Sequence, residues 1–445
     1  MIAGIGFAIL ALLVAARVLW LAPRPLLAPL VVYIGFYVVT SAVGASVLAF
    51  PAVRSLWALM FPGMDQSWLD FGDTFGYWFM IWGPLLISSL VALASFGALR
   101  RPAFRVSQYF RARVDVLPTV IVAALLCAYC VYVLAQHSYL GVTLLSGELT
   151  GRYRLNIQLR ADMGKELGTL YFACIYSGIP ALALVAFHQM VRRRSYRWGS
   201  AFAGLSVALV FFYLTALTKA NILIYGVQLT VAAQALGLLR IRGALAAAGA
   251  GTLILSGLSF LLSGTNPLDV LLTGYNIVFR EASNIPFYLA VFPNQVPFVG
   301  LDLGLGGFGI GPTIPTNEVV SNFMWPKQTY VQGAAPAAAH VMAYAEGGFL
   351  WSLLTMVLVG VWIGFTGALR RAASNPVVFS GYIGAVTVCY YLSQVNLVGA
   401  FNVSYGYRWW LIALILLLVV QRFMAGALAR EPEDSVWTKR PQAQT

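Results

Sequence analysis

Eleven stretches of this chain are close to twenty residues long, nearly free of charge and rich in Leu, Val, Ala and Phe: 4–21, 27–50, 74–98, 117–137, 167–189, 199–218, 220–239, 244–263, 347–369, 376–395 and 409–429. A helix needs roughly 20 apolar residues to cross the hydrocarbon core of a bilayer, and inside lipid a helix satisfies all its own backbone polar groups. The stretches therefore predict an all-α polytopic membrane protein with about eleven transmembrane helices, ten to twelve at the limits, forming one transmembrane domain over 1–445. Composition agrees: 60% of residues are hydrophobic, 10% are charged and the mean hydropathy is +0.80. The first stretch has no small-residue cleavage site and is followed by Arg24 and another span. It reads as a retained helix rather than a removed signal.

Charge sets the expected orientation. With the N-terminus outside, the loops holding Arg17 and Arg24, Arg100 to Arg113, Arg192 to Arg197, Arg240 and Arg242, Arg370 and Arg371, and the tail from Arg422 carry 19 of the 28 basic residues. These are the cytoplasmic ends by the positive-inside rule, and the C-terminus is cytoplasmic with them. The net charge of +13 is then a topology signal and an attraction to anionic headgroups. No basic domain interleaved with aromatics is present, which excludes nucleic acid as a partner. Cys127, Cys130, Cys174 and Cys389 all lie within apolar runs, where neither a disulfide framework nor a zinc site is expected.

Nine basic residues and most of the acids remain on the outer side, against the topological bias. Three outer segments stand out. In Gly151-Arg152-Tyr153-Arg154, two arginines flank a tyrosine, and their planar forks suit the oxygens of a diphosphate. They equally suit an interfacial loop whose arginines snorkel to headgroups. In Thr215-Ala216-Leu217-Thr218-Lys219-Ala220-Asn221, Lys219 sits in a minimal turn between two spans, at the level of a lipid-linked phosphate or as a helix-end anchor. The third segment is the long loop 264–346, which contains Arg280, Glu281, Lys327, His340, Tyr344 and Glu346 among Gly, Pro and aromatic residues. Loops of this length are functional or disordered, and the aromatic content of this one argues against disorder.

The start of that loop, Asp269 to Phe292, has apolar residues between Leu268 and Phe279 in the pattern of a helix lying on or dipping into the interface, which Arg280 and Glu281 would end. Gly304 to Pro312 is glycine-rich but lacks the Lys-Ser/Thr of a nucleotide phosphate loop, and reads as a turn region. Towards the end of the loop, helical spacing puts His340, Tyr344 and Gly347 along one face, with Glu346 near the outer mouth. An imidazole or carboxylate there suits a general base acting on a sugar hydroxyl. It equally suits a hydrogen-bond network or a partner for an arginine. Arg408, in Tyr405-Gly406-Tyr407-Arg408-Trp409-Trp410, stands in an interfacial aromatic belt and is placed to add to an anion site. Outer arginines, interspersed acids and aromatics for sugar faces together suit a lipid-diphosphate-linked saccharide, whose leaving diphosphate arginine can neutralise.

This order of features resembles the oligosaccharide repeat-unit polymerases of the O-antigen (Wzy) type. The resemblance rests on Gly151 to Arg154 before a span, the Thr-x-x-Thr-Lys-x-Asn turn at Thr215 to Asn221, and an outer loop ending in an Ala-Tyr-x-x-x-Gly segment at Ala343 to Gly348. It covers most of the chain in layout. The chain departs from the family's Asn- and Phe-rich approach to the last segment, having Gly333-Ala334-Ala335-Pro336 instead.

The resemblance implies a GT-C-like glycosyltransferase of a bacterial inner membrane with a periplasmic active site, needing no metal, cofactor or nucleotide sugar. Its substrates would be undecaprenyl-diphosphate-linked oligosaccharides and its partners membrane lipids, a chain-length regulator and a flippase. Arg280, Arg152, Arg154, Lys219 and Arg408 would bind diphosphate, Glu346 or His340 would activate the acceptor, and Tyr344, Tyr275 and Trp325 would face its sugars. An O-antigen ligase, which transfers finished glycan to lipid A-core, resembles the same layout, including a His shortly before a Gly-containing helix start. A transporter of lipid-linked saccharide needs polar groups at the midplane and repeated, interrupted helices, and neither is evident in the sequence.

Overall fold

The computed structural model describes residues 2–51, 53, 55, 75–110, 114–137, 163, 166–215, 219–240, 243, 282, 284–300, 316–325, 335–402 and 406–428. Among these residues there are helices and turns and no strand. In chain order the helices are α1 (Ile2–Leu21), α2 (Arg24–Tyr37), α3 (Val43–Leu48), α4 (Phe75–Ala98), α5 (Arg100–Tyr109), α6 (Val116–Gln136), α7 (Gly168–Ala173) and α8 (Ile179–Arg193). They continue with α9 (Tyr196–Thr215), α10 (Lys219–Ala235), α11 (Asn284–Val291), α12 (Thr316–Met324), α13 (Ala339–Ala372), α14 (Pro376–Tyr391), α15 (Leu397–Asn402) and α16 (Tyr407–Leu428). π-helical turns at Val38–Ala42 and Cys174–Gly178 join α2 to α3 and α7 to α8.

Among the described residues, eight helical segments are long and apolar enough to cross a membrane: Ile2–Leu21, Arg24–Leu48, Phe75–Ala98, Val116–Gln136, Gly168–Arg193, Tyr196–Thr215, Ala339–Ala372 and Leu397–Ala425. The chain is a multi-pass, all-α membrane protein. Two further expected spans are shorter as helices, α10 with 17 residues and α14 with 16. At 1.5 Å per residue α14 spans roughly 24 Å, and nearly all of it is buried among other helices, so protein rather than lipid covers it. The expected span at 244–263 lies outside the described residues apart from its surroundings at Gly243.

α13 is the central post, packed against α4, α2, α14 and α5. Its glycines explain how closely it sits. A Cβ at Gly360 would lie 2.7 Å from the Ser88 carbonyl oxygen, one at Gly364 2.9 Å from that of Ala92, and one at Gly367 2.9 Å from the Leu26 Cα. Apolar side chains gain little from meeting each other rather than lipid, so helix pairs in membranes rely on such close backbone approach. The Ser88 hydroxyl adds a hydrogen bond across the same contact, donating to the Met356 carbonyl at 2.7 Å.

Buried apolar residues form two clusters. One gathers the first four helices, α11, α12 and the N-terminal part of α13 through Tyr37, Trp78, Ile81, Tyr288, Phe292 and Val341. The other gathers α6 to α10, α14, α16 and the C-terminal part of α13, together with Val18 of α1, Leu26 of α2, Phe96 of α4 and Ala103 of α5.

Candidate functional site

The approach to α13 is a run of small residues, Ala335 to Ala339, all but Pro336 buried. Lacking bulk, it threads between helices and is held through its backbone. Asn284 Nδ2 donates to the Pro336 carbonyl at 2.6 Å, and the Tyr288 hydroxyl donates to that of Ala335 at 3.0 Å. The Ala335 amide donates to the Asn317 carbonyl at 3.0 Å, and the Ala339 amide to that of Leu392 at 3.1 Å. Helices α11 and α12, formed from the long loop, thereby anchor the start of α13.

His340 is only 2% exposed, and a proline in another helix explains its place. Pro84 lies inside α4 and has no N–H, so the carbonyl four residues earlier, that of Met80, loses its helical donor. His340 Nε2 lies 2.8 Å from that oxygen. A carbonyl only accepts, so Nε2 carries the proton and Nδ1 is the nitrogen left to accept one. The Tyr37 hydroxyl lies 3.3 Å from the same Met80 oxygen and donates to the next carbonyl, Ile81, at 2.7 Å, and its ring meets the His340 ring edge-on at 5.7 Å.

Seven residues after His340 the helix breaks. Gly347 is extended (φ −162°, ψ 27°) and Gly348 is left-handed (φ 75°, ψ −162°), a conformation glycine adopts without strain. The break leaves the preceding carbonyls without helical donors. The Val299 and Gly300 amides supply them, donating to Ala345 at 3.1 Å and Glu346 at 2.9 Å. Tyr344 lies between the rings of Phe298 and Phe349, at 5.8 Å and 5.1 Å, and donates its hydroxyl to the Phe292 carbonyl at 3.2 Å.

Glu346 is 7% exposed at this break. Burial pushes the Tyr288 hydroxyl well above the usual tyrosine range; a hydrogen bond with Thr316 opposes the shift, and the charge of Glu346 adds to it. Tyr288 on α11, Thr316 on α12 and Glu346 on α13 are thus electrostatic neighbours, three elements meeting where α13 breaks.

Of the residues singled out in the sequence, His340, Tyr344 and Glu346 share this segment, and half-buried Trp325, at the end of α12, packs against the same cluster. Arg408 is exposed at the start of α16 with its guanidinium 5.0 Å from the Trp409 ring. Its helix packs against α14, α6 and the Cys174–Gly178 turn. Lys219 is the first residue of α10, and its side chain lies outside the description. Arg152, Arg154, Tyr275 and Arg280 lie outside the described residues, as does the glycine-rich stretch 304–312. In the part of the loop where the pattern ends a helix at Arg280 and Glu281, the described helix is α11, beginning at Asn284.

Three contributors escaped the sequence reading. Tyr288 and Thr316 carry no local motif. Pro84 was legible as a helix breaker inside a span, but nothing in the sequence says which donor answers the carbonyl it frees. A separate small apolar pocket lies between α2, α10 and α14, bordered by Phe36, Gln228, Thr387 and Tyr390, and none of the candidate residues lines it. No protein-family model, curated protein or solved structure matches the chain.

Proposed function

We propose that the chain is a membrane glycosyltransferase that polymerises undecaprenyl-diphosphate-linked oligosaccharide repeat units on the periplasmic side of a bacterial inner membrane. The observation that carries the reading is the buried Glu346 carboxylate at the break in α13, electrostatically coupled to Tyr288. A carboxylate held out of bulk water within reach of a sugar hydroxyl suits a general base. In the reaction, an acceptor hydroxyl oxygen bonds to the anomeric carbon of the donor glycan and its proton passes to Glu346. The bond from that carbon to the diphosphate oxygen breaks, and the electron pair leaves with undecaprenyl diphosphate. Arg280, Arg152, Arg154, Lys219 and Arg408 are the residues assigned to that departing charge. His340, with Nε2 committed to Met80, serves better to position the segment than to take the proton.

Purified protein given lipid-linked repeat units alone tests the reading. A ladder of lengths supports the polymerase. Product only when lipid A-core is added identifies the ligase instead, and movement of the lipid-linked units across the bilayer without new glycosidic bonds identifies a transporter.

A further inference from the structure

The other end of α13 carries a feature that glycosyl transfer does not use. Phe96, near the end of α4, is 2% exposed, yet two guanidinium groups lie over its ring: that of Arg100 from α5 at 4.9 Å and that of Arg371 from the last turn of α13 at 5.2 Å. Both distances run to one ring centroid, so the two positive charges lie no further apart than the two laid end to end. That separation is comparable with the screening length of about 8 Å at physiological salt, and the pair repels.

The fold imposes this approach. Gly364 sets α13 against Ala92, one turn before Phe96, and Gly367 sets it against Leu26, two residues after exposed Arg24. Close helix packing thus gathers Arg24, Arg100 and Arg371 at one end of the bundle. Among the described residues the carboxylates are Asp115, Glu166, Glu318 and Glu346. Asp115 accepts from Gln421 at 2.9 Å, Glu166 lies 3.7 Å from His137, and none of the four forms an ion pair with these arginines.

α5 narrows what answers the charge. Only Ala103 and Ser107 of this helix are buried, while Phe104, Val106 and Tyr109 are 46%, 41% and 84% exposed beside exposed Arg101 and Arg105. A surface carrying bulky apolar groups and arginines together belongs in the headgroup layer, with apolar groups towards the acyl chains and guanidiniums towards phosphate.

We propose that Arg100 and Arg371, stacked on Phe96 and flanked by Arg24, bind the phosphate of an anionic phospholipid whose acyl chains lie along α5. Arginine's planar fork grips phosphate oxygens at two points, and a phosphodiester between the guanidiniums converts their repulsion into attraction. This site lies outside the proposed reaction centre and is independent of the polymerase reading.

The test is native mass spectrometry of the full-length detergent-purified protein titrated with dioleoylphosphatidylglycerol or dioleoylphosphatidylcholine. Wild type is expected to favour phosphatidylglycerol, and R100Q/R371Q to lose roughly fivefold of that preference per arginine at low salt. R193Q/R197Q, which removes equal charge from exposed positions elsewhere, is expected to keep most of it. Equal loss in both double variants, or none in R100Q/R371Q, overturns the site. Displacement of the lipid by inorganic phosphate identifies a free-anion site and overturns the lipid assignment. If wild type shows no preference and E431Q/E433Q/D434N gains one, the chain's own acidic tail is the occupant and the proposal fails.

Discussion

The two ends of α13 are made by one continuous stretch of chain and meet opposite physical demands. At the N-terminal end His340, Tyr344 and Glu346 are buried, the helix breaks at Gly347 and Gly348, and backbone groups freed by Pro84 and by the break are answered from other elements. At the C-terminal end the helix is regular, Arg370 and Arg371 occupy the last turn, and Arg371 is exposed beside Arg100 and Phe96. The first end holds a carboxylate out of bulk water beside the Tyr288 hydroxyl, an environment that suits the proposed proton acceptor. The second gathers like charges at the surface, which is how a protein prepares to meet an anion. Between them, Gly360, Gly364 and Gly367 hold the helix against α4 and α2, so each end is fixed relative to its neighbours.

The comparison breaks first, if it breaks, on carboxylate placement. E346D keeps the charge and shortens the side chain by a methylene, and a misplacement of about 1 Å is enough to cost 10²-fold in rate. That loss is expected in polymer formed per unit time, whereas R100Q/R371Q, at the other end, is expected to leave the rate in detergent within about twofold, a surface change of less than 0.5 kcal/mol. The backbone break gives the next largest effect. G348A places a side chain in a left-handed conformation, with its Cβ 3.2 Å from the Phe298 ring, and should lower stability by about 1–2 kcal/mol. G204A, in the interior of α9 with open space around it, should instead stabilise by up to about 1 kcal/mol. Thermal unfolding in detergent separates the two by sign.

Smaller effects sharpen the picture of how the buried end is held. Y288F removes the donor to the Ala335 carbonyl and should cost about 0.5–1.5 kcal/mol. A double-mutant cycle addresses His340: P84A restores an amide within reach of the Met80 carbonyl, so H340A should cost about 0.5–1 kcal/mol less in that background than in wild type. Additive losses would show that His340 does not answer the carbonyl that Pro84 frees.

How much of this was legible in the sequence follows from the range of each interaction. The all-α membrane class was readable because apolar length is a local property, and among the described residues eight segments emerge as helices long enough to cross. α10 and α14 are shorter than their apolar runs, because hydropathy records where a helix is tolerated and not where it ends. The grouping of His340, Tyr344 and Glu346 was readable from helical spacing, since they occupy one short segment. The link from His340 to Met80 crosses 260 positions, and the meeting of Tyr288 with Thr316 and Glu346 depends on how α11 and α12 dock. No pattern within one segment encodes either. The pairing of Arg100 with Arg371 was hidden for the same reason: positive-inside counting assigns both to one side without bringing them together.

The central claim is that the buried end of α13 performs the chemistry through Glu346. It is tested most directly by incubating purified wild type and E346Q with undecaprenyl-diphosphate-linked repeat units and resolving the products by length. Glutamine keeps the shape and removes the proton acceptor. The account predicts a ladder from wild type, and from E346Q a rate lower by roughly 10²–10⁴-fold with lipid-linked substrate still bound. A ladder from E346Q formed at the wild-type rate would contradict it.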